Sequence, residues 1–491
     1  MKKSVLFSLI IMLATLAGIC ACGEKGPETP EVPDEQMEQR VAIGSFTTSV
    51  LNTYYLWNKE IKADIENWSL EEDPIEAVQR IRYKDASGKD IDKWTLLTED
   101  IEAMRSSTAG VSTTYGFDFK LYYWDSSQKE VCLVVTLAYP GSPAEEAGIK
   151  RGDVFRKING TTLTPDNYRS LVYDSFLYAP SCKLTDDSGK EVSLTAVEMY
   201  ENPVLVTKVF EAGGRKVGYL FFNRFTLAAC DDLVKAGKYF CEEGIEDLIL
   251  DMRYNGGGYV LTETLLASML APWEEVEAGS VFETAVYNDI LSEAFGEDKS
   301  TFVKEVSYTS GGEKHTVSVT GANPGIKHLY AILTGDSASA SESILVGLMP
   351  YLDVKIFGQQ SYGKYCTGIM YSAQEWFEDY KDDLKENLKS LGRKYAQKWG
   401  MYVMISRYAD KYGNTPCMPE GFVPDYPLED NPSQPYQLGD PREAMLAAVL
   451  SQLGYRADTD PKAARRAPAR ALGAQIALER DPVSVSHILL P

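Results

Sequence analysis

Apolar positions along this chain fall into runs of distinct period. Lys216-Val-Gly-Tyr-Leu-Phe-Phe-Asn-Arg-Phe225, Ile245-Glu-Asp-Leu-Ile-Leu250, Leu329-Tyr-Ala-Ile-Leu333 and Val354-Lys-Ile-Phe-Gly358 are short and mostly apolar, as strands buried on both faces should be. Helix-like stretches separate them, from Cys230 to Glu243, from Tyr259 to Leu270 and from Ser343 to Leu352, the last with Leu345, Leu348, Met349 and Leu352 on one face. Strands alternating with helices predict an α/β sheet. Upstream, residues 37–106 read as one or two helices, carrying Val50, Leu51, Tyr54, Tyr55, Leu56 and Trp57 and then Ile75, Val78 and Ile81. From 107 to 200 the texture turns to short strands and turns, with Tyr115-Gly-Phe-Asp-Phe-Lys-Leu121 alternating as a half-buried strand does. Past Leu352, the pattern predicts a hydrated charged helix over 374–398, a strand over 401–407 and a last helix over 441–453. From 456 to 491 Ala, Arg and Pro dominate, and this tail is expected to be poorly ordered.

Length and charge narrow the picture. A chain of 491 residues, 44% of them hydrophobic, can build two or three cores. A net charge of -22 speaks against nucleic acid as a partner, because phosphate neutralisation needs clustered Lys and Arg. Lys2 and Lys3 precede an apolar run from Val5 to Cys22, which reads as an export signal rather than a spanning helix. Residues 23–36 are rich in Pro, Glu and Gly and suit a hydrated tether. Cys132, Cys182, Cys230, Cys241, Cys366 and Cys417 remain, with no C-x-x-C pair and three histidines in all, so no metal site is expected. Six thiols allow fifteen full pairings and the sequence does not choose among them.

Chemistry concentrates in Thr334-Gly-Asp-Ser-Ala-Ser-Ala-Ser-Glu342, where a buried strand turns into a helix. Such a turn lifts its side chains onto a helix N-terminus, whose free N–H groups favour developing negative charge. Serine is also a common N-cap, so capping is the plain alternative. After the following strand comes Gln359-Gln-Ser-Tyr-Gly-Lys-Tyr-Cys366, and a βαβ unit opens both loops at one sheet edge. A lysine desolvated there can be neutral enough to take a serine proton, and no histidine is then required. His315 and His328 sit in no catalytic motif, and Cys366 reads as a small packing residue.

At these residues the chain resembles the carboxy-terminal processing peptidases, serine endopeptidases with a Ser/Lys dyad. Ser-Ala-Ser-Ala-Ser-Glu followed twenty-five positions after Ser339 by Lys364 is similar to their active-site segment, and the spacing points to Ser339 rather than Ser337 or Ser341. The resemblance implies a cofactor-free acyl-enzyme mechanism, an α/β protease core with a mixed sheet and crotonase-like βαβ units, and polypeptide substrates. Asp251-Met-Arg-Tyr-Asn-Gly-Gly-Gly258 resembles the family's oxyanion segment, so the implied donors are the N–H groups of Gly257 or Gly258 and of Ala340. Many members carry a lysine-orienting glutamine where this chain has Gly368. That departure leaves open a peptide-binding lipoprotein without turnover. Val134 to Gly160 resembles a PDZ domain, with Gly141-Ser-Pro-Ala144 opening a short helix and Gly152-Asp153 leading to Ile158-Asn-Gly160. It implies a β-rich module that holds peptide C-termini at Tyr115, Gly116 and Phe117, or one that only packs. Ile19-Cys-Ala-Cys22 is similar to a bacterial lipobox, which implies lipid on Cys22 and a place in the bacterial cell envelope, facing periplasm or surface. The expected organisation is then 1–21 signal, 22–36 tether, 37–106 helical region, 107–200 PDZ-like domain, 201–455 peptidase domain, closing near Gly421-Phe-Val-Pro-Asp425, and 456–491 tail.

Overall fold

The apolar runs lie side by side because each must be covered on both faces. In the computed structural model, which describes residues 34–109, 111–310, 312–456, 472–476 and 487–488, a six-stranded sheet runs Val204–Ala212, Arg215–Phe222, Asp247–Asp251, His328–Leu333, Asp353–Gly358 and Tyr426–Pro427. Pairing is parallel from Arg215–Phe222 onward. Val204–Ala212 closes one edge antiparallel. Alternate strand residues feed two cores. Leu220, Leu248, Leu329 and Ile356 meet the helices Ala229–Glu243, Val260–Leu270 and Ala340–Leu348 on one side. Tyr219, Ile249, Ile332 and Phe357 meet Ala444–Gln452 on the other.

A second sheet stands against the first helical layer and carries the strand after Lys364. Its order is Gly258–Tyr259, His487–Ile488, Cys366–Ser372, Gly400–Ala409, Val281–Tyr287 and Asp298–Thr301. The N-terminal region is more mixed than its helical pattern suggests. Helices Asp34–Tyr54, Lys62–Glu66, Pro74–Ile81 and Ile101–Ala109 are joined by a strand, Leu96–Thr98, that pairs with Gly400–Ala409. The first helix lays Phe46 against Tyr371 and Trp376 with ring centroids 6.4 and 6.0 Å apart, so its aromatic residues are core. The predicted charged helix over 374–398 is two helices, Ala373–Asp379 and Glu386–Tyr395.

The strand-and-turn region has its own core around Leu121, Leu133, Phe155, Ile158 and Leu184. Its sheet runs Phe117–Tyr123, Val131–Ala138, Val154–Ile158, Ser181–Asp186 and Glu191–Thr195. Ser142 caps the short helix Pro143–Glu146 by accepting from the Glu145 N–H, as the Gly-Ser-Pro-Ala turn predicts. Buried charges tie this domain to the sheet. Arg151 reaches Asp430 at 2.9 Å, and Arg253 reaches Asp251 at 2.6 Å and Glu443 at 2.8 Å. Burial opposes the Asp430 charge, yet Arg151, Arg253 and Lys120 hold its pKa well below the usual carboxylate range.

Beyond residue 455 the expectation of a poorly ordered tail is corrected where the chain is described. Gln475–Ile476 adds a strand to the edge of the PDZ-like sheet, where unpaired backbone groups accept one, and His487–Ile488 lies between Gly258–Tyr259 and Cys366–Ser372 in the second sheet. The signal, Cys22 and the tether as far as residue 33 lie outside the described residues, and the tether expectation is corrected at its end, where residues 34–36 open the helix Asp34–Tyr54. Among the described residues no helix is long and apolar enough to cross a membrane.

Candidate active site

Strand His328–Leu333 delivers the chain into the serine turn, and the helix Ala340–Leu348 begins immediately after Ser339. Ser339 holds φ at +62°, a left-handed conformation that costs a non-glycine residue roughly 1–3 kcal/mol unless its surroundings enforce it. Here they do. The neighbouring serines spend their hydroxyls on the loop after Asp251: Ser337 Oγ donates to Met252 O at 2.8 Å and Ser341 Oγ donates to Asn255 O at 2.9 Å. The Ala338 N–H donates to Asn255 O at 3.1 Å. Ser339 is the one whose buried Oγ has no hydrogen-bond partner among the described residues.

Glu342 joins this turn to the lysine loop. Its Oε2 accepts from the Ser339 N–H at 3.0 Å and from the Lys364 N–H at 2.9 Å, while Oε1 accepts from the Gly363 N–H at 2.7 Å and from Ser361 Oγ. One carboxylate oxygen thus touches the backbone of both residues. Tyr408 adds a second tie, its hydroxyl donating to Lys364 O at 2.5 Å and lying 3.4 Å from Ser339 O. Burial raises the Glu342 pKa to about 7 even against these four donors.

Lys364 is wholly buried. Desolvation brings its pKa down to about 7, with Cys366, Asp92 and Glu342 working the other way. Its Nζ donates to the Tyr402 hydroxyl at 2.9 Å. The Nζ also lies 5.0 Å from the Tyr402 ring centroid and 5.7 Å from that of Trp94, close enough for the ring faces to contribute. Sequence reasoning missed Tyr402 because it lies thirty-eight positions after Lys364, on a strand whose pattern shows only burial. Gly368 explains the exchange: a Cβ there would fall 2.5 Å from Met404 Cε and 2.6 Å from Tyr402 Cε2. The tyrosine ring fills the space that a side chain at 368 would need.

Of the expected oxyanion donors, Gly257 is corrected. Its N–H donates to Asn255 Oδ1 at 2.9 Å within its own loop, which leaves Gly258 and Ala340 as the candidate pair. At Gly258 φ is +151°, and a Cβ would meet Phe225 O at 2.2 Å, so only glycine brings the backbone this close. Tyr115, Gly116 and Phe117 stand at the head of the groove strand Phe117–Tyr123. Gly116 has φ +79°, and a Cβ there would also strike Ser142 Cβ at 2.1 Å, so the position needs glycine on both counts. The side chains of Tyr115 and Phe117 are buried in the domain core, and the Gly116 backbone is held within the domain, its N–H donating to Thr114 Oγ1 at 2.9 Å and its carbonyl accepting from the Tyr139 N–H at 2.9 Å and from Ser142 Oγ at 3.0 Å.

The remaining candidates fall elsewhere. His328 Nδ1 pairs with Asp247 Oδ1 at 2.6 Å where two parallel strands begin, at the end of the sheet away from Ser339. His315 stacks on Tyr308 in the hairpin Glu305–Ser310 and Glu313–Ser318. Burial holds the Cys366 thiol well above its usual pKa, the opposite of what a thiolate nucleophile needs. All six described cysteines are free.

An α/β core with a strained serine turn, a buried amine and an attached PDZ-like module is a hydrolase-type architecture. Residues 216–428 match peptidase family S41, and residues 134–175 match a PDZ domain. A probable CtpA-like serine protease of Staphylococcus aureus is 25% identical over 290 residues, which are 56% of this chain and 49% of the relative. The chloroplastic C-terminal processing peptidase of Tetradesmus obliquus is 27% identical over 286 residues, 54% of each protein. The chain spans about half the length of the curated relatives it matches. A Bacteroides fragilis crystal structure of the S41 protease class shares the fold, with a TM-score of 0.62 at 21% identity over 87% of this chain and 98% of that one. Residues 216–428 are thus similar to peptidase family S41, and the curated relatives the chain resembles are CtpA-like and C-terminal processing peptidases.

The three hydroxyls of the turn should therefore differ in reactivity. A serine-directed phosphonate probe is expected to label Ser339, located by mass spectrometry, and to retain labelling in Ser337→Ala and Ser341→Ala. Labelling at either neighbour instead would move the nucleophile.

Proposed function

We propose that this chain is a serine endopeptidase in which Ser339 is the nucleophile and Lys364 its general base. The observation that carries the reading is the Glu342 carboxylate oxygen shared by the Ser339 and Lys364 N–H groups. Beside it stand a hydroxyl without a hydrogen-bond partner among the described residues and an amine that burial makes easy to neutralise. Neutral Lys364 takes the Ser339 proton as Oγ attacks the substrate carbonyl carbon. The N–H groups of Gly258 and Ala340 bind the developing oxyanion. The Lys364 ammonium then protonates the departing amine as the C–N bond breaks, and water hydrolyses the acyl-enzyme with the lysine again as base. Tyr402 is a positioning residue: by accepting one Nζ hydrogen it aims the lysine lone pair, the task the resemblance gives to a glutamine at 368. On this reading Gly368 does not favour the alternative of a peptide-binding lipoprotein without turnover.

Polypeptide ends dock on the PDZ domain as an added strand beside Phe117–Tyr123, with the carboxylate at the Tyr115-Gly116-Phe117 backbone. Lipid on Cys22 anchors the protein at the bacterial cell envelope, facing periplasm or surface. The lipobox-like run Ile19-Cys-Ala-Cys22 is the support for that placement.

Ser339→Ala and Lys364→Ala should each abolish cleavage of casein while leaving the thermal melting transition in place; full activity in either variant rejects the dyad. The neutral fraction of Lys364 grows as pH rises through about 7, and so does the ionised fraction of Glu342. Accordingly kcat/KM should climb through about pH 7 and level off above it, and a rate that falls over that interval contradicts a lysine base. In Tyr402→Phe, kcat is expected to drop by about tenfold, less than the roughly hundredfold or more that a general base itself contributes, with KM nearly unchanged. Because the lost oxygen accepts from the ammonium, the rising limb should also move to lower pH; an unmoved limb would make Tyr402 merely structural.

A further inference from the structure

The groove strand Phe117–Tyr123 pairs on one side with Val131–Ala138, and its other edge is where a PDZ ligand adds. That edge is taken. Gln475–Ile476 lies antiparallel along it, Gln475 opposite Tyr122 and Ile476 opposite Leu121. The ladder is extended by the Tyr123 N–H donating to Ala474 O at 3.0 Å and the Gly473 N–H donating to Tyr123 O at 2.9 Å. As the segment advances from 475 to 476 its partners step from 122 to 121, toward the Gly116 turn. A peptide approaching that turn with its C-terminal end travels in the same sense.

Side chains make this more than an edge contact. Ile476 packs on the domain core that contains Tyr115, Phe117 and Leu121. Leu472 packs with Tyr122 and Trp124 around Cys132, Val134 and Val154. At Gly473 a Cβ would lie 2.6 Å from Asp125 O and 2.8 Å from Tyr123 Cβ, so the close approach uses a residue without one. Farther along the same tail, His487–Ile488 lies between the glycine strand and the lysine strand, with Gly258 opposite His487 and Gly368 opposite Ile488. Two peptide-shaped seats, one in each domain, hold parts of one segment.

We propose that residues 472–476 are the resident ligand of the PDZ groove, an intramolecular peptide that incoming polypeptide ends must displace. The competition rests on the reading that this groove captures substrate. A tethered ligand works at an effective concentration near millimolar. Substrate affinity is reduced by the fraction of time the groove stands open, so a groove open about a tenth of the time weakens capture about tenfold. Backbone pairing sets the class of displacing ligand: an extended chain with an apolar residue to replace Ile476.

The test uses the full-length chain carrying Ser339→Ala, so that nothing is cleaved, with and without Ile476→Asp, and with Gly473→Val as a second disruption. Hydrogen exchange across 117–123, followed by mass spectrometry, reads the seat directly. Exchange should quicken by about tenfold or more in both variants, as local opening frees the edge amides; an unchanged rate overturns the proposal. Fluorescence anisotropy with a labelled peptide that has an apolar C-terminal residue and a free carboxylate reads the competition. Binding about tenfold tighter in Ile476→Asp supports it, and equal affinity overturns it. Quickened exchange with no peptide binding in any variant keeps the tail as the groove's ligand and rejects substrate capture instead.

Discussion

A single buried carboxylate organises the meeting of the serine turn and the lysine loop in this protein. Glu342 lies in the first turn of the helix after Ser339, where acidic groups are favoured by the helix dipole. It accepts from the backbones of Ser339, Gly363 and Lys364 at once. Its burial would be costly without those donors. With them, it fixes the serine turn and the lysine loop to one point, although the two belong to different sheets. Ser339 can remain in a strained conformation because the turn around it is held at several places, and its hydroxyl is left without a partner among the described residues.

The lysine gains its chemistry from what surrounds it rather than from what it is. Trp94 and Tyr402 come from the N-terminal region and the second sheet, and together with the core they remove water from Nζ. Desolvation lowers its pKa to about 7, since the ammonium loses more hydration than the amine. The N-terminal region, through Trp94, therefore helps to close this pocket around the amine. Its strand Leu96–Thr98 pairs with the strand that bears Tyr402, Leu96 lying opposite it.

The PDZ domain is coupled to the same turn through charge. Lys120 lies on the groove strand, beside the residue that pairs with Ile476, and its Nζ reaches Asp336 at 2.7 Å. Asp336 is in the serine turn. Whatever fills the groove thus lies one residue from an ion pair that ends in the serine turn. Burial makes such pairs sensitive to geometry, because a charge separated from its partner there has little water to replace it.

The strand and helix order of the core was legible from period alone, since Leu329–Leu333 and Val354–Gly358 are apolar enough to require cover on both faces. That the Ser339 turn and the Lys364 loop meet at one sheet edge was legible from the βαβ order, as was the PDZ turn that Ser142 caps. Four features were decided only in three dimensions. Gly257 turned its N–H inward to Asn255, a choice three consecutive glycines leave unsaid. Tyr402 took the place beside the lysine that a side chain at 368 would have filled, because cross-strand neighbours are set by register and not by sequence distance. Glu342 has no role assigned from the sequence, and only folding brings the Lys364 N–H to its carboxylate. The tail, poor in periodic pattern, gained structure from edges that other strands left open, and a sequence carries no record of which edge is free.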